Sequence, residues 1–158
     1  MRPSPTDARF ALLIVFASTY LSACATTPPT KPQPSKGENV VAVSGPRLGV
    51  QQIEPTQCTS GGRYLFLGAD LIDERSGLFV RLVVDPVHGD VVRVFDPKHD
   101  DTRSLILSRS VCTKFDNQLE FGDSMVNGVR SMKVKIALDC HTPSGDFVVG
   151  NASSESCL

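Results

Sequence analysis

Residues 129–140, VRSMKVKIALDC, restrict this chain more than any other stretch. Met132, Val134, Ile136, Leu138 and Cys140 fall on one side of a two-residue repeat, and Lys133, Lys135 and Asp139 fall on the other. Successive side chains of a β-strand point to opposite faces, so strict alternation describes a strand with one face on a core and one in water. A helix would spread the lysines around its circumference. The lysine-bearing face is a candidate recognition surface.

A second alternation sets Leu78, Val80, Leu82 and Val84 against Arg81 and Asp85. It runs into the turn residues DPVHGD (85–90) and resumes over 91–95, so 78–96 predicts a hairpin. The echo between VRLVVDP and VRVFDP is two strands ending alike, too short for an architectural repeat. Further strands are expected at 63–67 (RYLFL), 103–108, 113–121 and 146–150, with weaker ones at 39–43 and 47–53. Residues 122–128, GDSMVNG, read as a turn in which Asn127-Gly128 suits positive φ, and 68–75 as one helical turn at most. No stretch sustains a 3.6-residue stripe. The fold class is therefore all-β: one β-sandwich domain over 40–158, with a small β-barrel as second choice. The chain has no Trp, so the buried indole of true immunoglobulin domains is missing and the reading is one of architecture.

The N-terminus is of another kind. Arg2 and Arg9 precede an apolar run, FALLIVFASTY (10–20), followed by the small residues Ser22 and Ala23. The run is too short to span a bilayer and has the layout of a secretory signal peptide, 1–23. At its end, Leu21-Ser22-Ala23-Cys24 resembles the lipobox of bacterial lipoproteins. That resemblance covers only the first 24 residues and implies that Cys24 receives a diacylglycerol, becomes the first residue of the mature chain and anchors it by lipid. Two or three acyl chains, at about 0.8 kcal/mol per buried CH₂, make such an anchor effectively permanent. Ala25 in place of the inner-membrane aspartate of that family implies an outer-membrane location, facing either the periplasm or the surface. Ordinary cleavage near Ala23 or Ala25, with release of a soluble protein, is the alternative. Residues 24–39 form a tether rich in proline, with Pro28, Pro29, Pro32 and Pro34, which cannot bury enough apolar surface to order itself.

Charge narrows the partners. The chain has 16 Lys+Arg and 17 Asp+Glu, and without Arg2, Arg9 and Asp7 of the leader it stays slightly acidic with no basic block. Nucleic acid is thereby disfavoured as a partner, as is electrostatic attraction to an anionic membrane. The expected partners are the membrane, through lipid on Cys24, and an envelope protein.

Cys58, Cys112, Cys140 and Cys157 remain, an even number in an exported chain, which predicts two disulfides. A hairpin of 113–121 with 129–140 brings Cys112 and Cys140 to one end, favouring Cys112–Cys140 and leaving Cys58–Cys157. Cys112 is out of phase with Phe115, Leu119 and Phe121, so this pairing needs a bulge or a late strand start. The cysteines lack the Cys-x-x-Cys spacing of zinc or redox sites.

Chemistry is sparse. His88, His99 and His141 each fall in an expected turn. No Gly-x-Ser-x-Gly, His-Glu-x-x-His or Ser-x-x-Lys occurs, and no catalytic or cofactor-binding residue is assigned. The densest polar cluster, DPKHDD (96–101), offers Asp96, His99, Asp100 and Asp101 as weak calcium-site candidates, without the order of an EF-hand loop. The resulting expectation is a non-enzymatic accessory or protein-interaction lipoprotein. The alternatives are a small-ligand or calcium-binding envelope domain and, third, an unrecognised hydrolase.

Overall fold

The computed structural model describes residues 39–99 and 103–158. They form ten strands: β1 (Val40–Ser44), β2 (Gln51–Ile53), β3 (Gln57–Ser60), β4 (Gly68–Asp73), β5 (Leu78–Val83), β6 (Val91–Phe95), β7 (Ser104–Leu107), β8 (Cys112–Val126), β9 (Val129–His141) and β10 (Phe147–Cys157). One antiparallel sheet has the order β2-β1-β10-β9-β8 and the other the order β3-β4-β5-β6-β7. Each keeps two edge strands, so the body is a sandwich and not a closed barrel. Among the described residues no helix is long and apolar enough to cross a membrane.

Alternation builds the core. Val134, Ile136 and Leu138 of β9 meet Leu71, Val80, Leu82, Val92, Val94, Leu105 and Leu107 of the facing sheet, all buried. The β5–β6 hairpin pairs Val80 with Val94 and Leu82 with Val92 on this inner face. Two disulfides close the structure, Cys58–Cys157 between the two sheets and Cys112–Cys140 within the β8–β9 pair. The phase problem at Cys112 is resolved by a bulge: Cys112 lies opposite Cys140 but Lys114 lies opposite Asp139, leaving Thr113 as the extra residue. The Thr113 hydroxyl donates to the Asp139 carbonyl at 3.1 Å.

Four expectations are corrected. RYLFL (63–67) is not a strand: Gly61–Tyr64 is a 3-10 turn that ends on Leu65 in the left-handed region, φ 63°. Ser60 supplies the cap, its hydroxyl accepting from the Gly62 amide at 3.3 Å. Residues 68–73 are strand β4 instead of a helical turn, with Ala69 and Leu71 facing the core. Residues 122–126 extend β8, and only Asn127 (φ 51°) and Gly128 (φ 77°) make the turn. Positive φ at both central residues matches the strand twist of a two-residue hairpin. His141 ends β9 and is no turn residue; its ring stacks on Phe147, centroids 4.2 Å apart.

At the end of the sandwich away from Asn127, the β9–β10 turn holds the fully buried Asp146. Its carboxylate accepts from the Arg47 amide (3.1 Å) and from the hydroxyls of Ser144 (2.8 Å) and Thr142 (3.3 Å). A buried acid so surrounded keeps its lone pairs satisfied and locks the β1–β2 loop onto this turn.

Candidate functional site

The sequence nominated Asp96, His99, Asp100 and Asp101 for a metal and Cys24 for a lipid. Cys24, with the leader and tether through residue 38, and Asp100 and Asp101 lie outside the described residues. Asp96 has both carboxylate oxygens engaged. Oδ1 accepts the Lys98 amide at 2.9 Å and Oδ2 accepts His99 Nδ1 at 2.9 Å. The His99 ring and then the Lys98 amide hold this carboxyl below the usual aspartate range. Among the described residues no three His, Cys, Asp or Glu side chains gather as metal ligands.

The same turn occurs twice. Asp85-Pro86-Val87-His88 repeats it: Asp85 Oδ1 accepts the amides of Val87 (2.8 Å) and His88 (3.0 Å), and Oδ2 accepts His88 Nδ1 at 2.9 Å. These bonds, led by the His88 amide, lower the Asp85 carboxyl to about 2. Both pairs resemble the oriented His–carboxylate of a catalytic dyad, but each consists of neighbours in one Asp-Pro turn. The carboxylate's work there is to cap its own turn. The echo visible in the sequence is thus a repeated turn as well as a repeated strand.

The outer face of the first sheet is where the lysines of β9 come to rest. Lys133 lies opposite Glu120 of β8 and bridges to Glu155 of β10 at 3.1 Å. The Glu155 carboxylate, through its hydrogen bond and charge, raises the Lys133 ammonium, with Glu120 adding to it. Asp139 lies opposite Lys114. Opposite charges across a ladder support the strands. Between these pairs the pattern changes: Lys135 has Gln118 on one side and Ser153 on the other, both uncharged. Next to it Ala137 sits between Asp116 and Asn151. The small side chain in a row of long ones leaves a groove of about 650 Å³, floored by Ala137 and walled by Arg109, Lys114, Asp116, Lys135 and Asn151. Sequence reading found its lysine face but not the groove, which needs the β10 and β8 partners of Ala137.

A second surface was not anticipated. The Gly61–Leu67 segment and the β8–β9 tip carry exposed Tyr64, Leu65, Leu67, Phe121, Met125 and Val126. Its signal in the sequence, RYLFL after Gly-Gly and GDSMVNG with its Asn-Gly, reads as a strand and a turn.

The groove is a concave, polar, mixed-charge surface in which Lys135 lies between neutral cross-strand neighbours and Arg109 and Lys114 add two further cations beside Asp116, suited to an acidic or carbonyl-bearing group on a partner. Compared with protein-family models, with curated proteins and with solved structures, the chain matches none of them.

Proposed function

We propose that this is a lipoprotein of the bacterial envelope, lipidated on Cys24, held at the outer membrane by that lipid, and working without catalysis as an accessory protein that binds an envelope partner. The proline-rich tether presents the sandwich, and the partner docks on the outer face of β8, β9 and β10. The observation that carries this reading is the Ala137-floored groove with Lys135 at its wall. Its polar rim and charged flanks suit a protein surface, where such charges set orientation and partner choice more than raw affinity. The edges of the sheet are less suitable: β8 bulges at Thr113 and again between Phe121 and Met125, where four steps oppose two on β9. Bulges of this sort twist an edge away from strand addition.

Crosslinking in cells, purification of the lipidated chain and mass spectrometry of what accompanies it test the proposal. One dominant envelope protein is expected, with Lys135→Glu reducing its yield by about tenfold, as reversal of one well-placed interfacial charge does. The exposed position of Lys135 leaves the fold unaffected. The absence of any reproducible partner, or a partner indifferent to Lys135→Glu and to Ala137→Lys, overturns it.

A further inference from the structure

The apolar tips are a separate matter from the groove. Leu65 is 97% exposed, Met125 66% and Phe121 51%, with Tyr64, Leu67 and Val126 exposed beside them. These residues come from two segments that meet. Val126 pairs with Val129, and a Cβ on Gly62 would lie 4.0 Å from Val129 Cγ1. Phe121 lies opposite the core residue Met132, so it continues the inner face of its sheet into solvent.

Leu65 is the most telling of them. A leucine at φ 63° occupies a conformation that Gly or Asn adopts more readily, and here it caps a 3-10 turn by donating its amide to the Gly61 carbonyl. The Phe66 amide reaches the same carbonyl at 3.1 Å. The turn is thus pinned while the one large side chain at its apex packs on nothing in the fold. An outlier of this kind points from structure to function.

Chain direction says what lies beneath. β1 is antiparallel to β10, and β10 to β9, so β1 runs with β9. At Asn39 the chain therefore enters β1 from the direction of the Asn127-Gly128 turn, with Val40 level with Ala137 of β9. From Cys24 to residue 38 the extended reach is about 40 Å. Arg63 and Arg130 flank the tips, Arg130 lying over the Phe121 ring at 5.6 Å and donating to the Gly122 carbonyl at 2.8 Å. Asp123 is the one carboxylate within 61–67 and 121–130. Apolar side chains on protruding loops, ringed by Arg and Tyr, are the composition of a surface that enters the headgroup–acyl boundary of a membrane.

We infer that this end of the sandwich rests on a lipid bilayer, with Leu65, Phe121, Met125 and Val126 dipping into the interface and the β8–β9–β10 face left standing clear for its partner. The inference builds on the anchored reading of Cys24, because the lipid supplies the high local concentration that a small apolar contact needs. Contact is apolar in origin and insensitive to salt, since the tips carry almost no net charge.

The chain has no Trp, so one introduced indole reports without background. The full-length lipidated protein carrying Leu65→Trp is reconstituted into vesicles of phosphatidylethanolamine and phosphatidylglycerol. Its emission is expected to shift to the blue and to be quenched by lipids brominated on their acyl chains. The same reporter placed by Val50→Trp, in the exposed β1–β2 loop at the other end, is expected to stay red-shifted and unquenched. Unquenched, solvent-like emission from the Leu65→Trp protein overturns the inference. So does a blue shift that needs only higher protein concentration, which identifies a second copy as the occupant. The mass of the Cys24 adduct is read on the same sample. If Cys24 carries no lipid, the anchored reading fails by itself, and the same two indoles with added vesicles still decide membrane contact.

Discussion

Alanine in place of both Cys58 and Cys157 is expected to lower the melting temperature by about 15–30 °C. The bond joins residues 99 apart in sequence and fastens β3 of one sheet to the last residue of β10 in the other. Restraining a loop of that length in the unfolded chain is worth about 4–5 kcal/mol in the chain-entropy account. A domain of this size has about 5–15 kcal/mol in total, so the loss removes a large share of its stability. Cys112–Cys140 spans only 28 residues and ties neighbours already joined by the β8–β9 ladder. Its removal is expected to cost about 3–4 kcal/mol and a correspondingly smaller drop. Thermal melts of the two double variants check the ordering. An equal or larger loss from the Cys112/Cys140 pair contradicts the view that the inter-sheet staple is the principal restraint.

Arg81→Leu is expected to destabilise the domain by about 3 kcal/mol, by stranding a buried carboxylate. Asp70 is 1% exposed on the outer face of the second sheet. Arg81, directly opposite on β5, grips it with both arms of its guanidinium, Nε to Oδ1 at 2.7 Å and Nη2 to Oδ2 at 2.8 Å. The guanidinium lies over the rings of Phe66 and Phe95, at 4.8 and 5.1 Å from their centroids, which shields the pair from water. Breaking one side of such a pair is costly, while replacing both partners by apolar groups is nearly neutral. The double variant Asp70→Leu, Arg81→Leu is therefore expected to recover most of the loss. Urea unfolding of the two singles and the double measures this. A double variant no more stable than Arg81→Leu alone refutes the pairing as the cause.

This pair also marks where the sequence is hard to read. The alternation of 129–140 and 78–84 declared itself because each strand has one face in the core and one near water. β4 hid, because Asp70 and Asp73 interrupt an apolar segment and read as turn chemistry, although both are buried. Arg81, eleven residues on, makes Asp70 tolerable inside a strand. RYLFL misled in the opposite way: it is apolar without a period, and its exposure is a property of the end of the sandwich that no local pattern announces. β8 beyond Phe121 reads as a turn in the sequence because Gly122, Asp123 and Ser124 favour one. Here they form a bulge between the pairs Phe121–Met132 and Met125–Arg130, with the Ser124 hydroxyl donating to Ser131 at 2.7 Å. The lysine face was legible, but the groove within it depends on three strands and on Ala137 lying in the middle one.

The two surfaces fit one arrangement. On these proposals the apolar end meets the bilayer, and the charged outer face of β8, β9 and β10 stands to the side, open to a neighbour. The Asp-Pro-x-His turns and the buried Asp146 network hold their own loops by side-chain-to-backbone hydrogen bonds.

The proposed role depends on how the chain is attached. The intact mass of the mature protein extracted from the envelope tests the central claim most directly. The account predicts a chain beginning at Cys24, with a thioether-linked diacylglycerol on its sulfur and an acylated amino group. A mature chain that begins elsewhere, or one whose Cys24 carries no lipid, contradicts it.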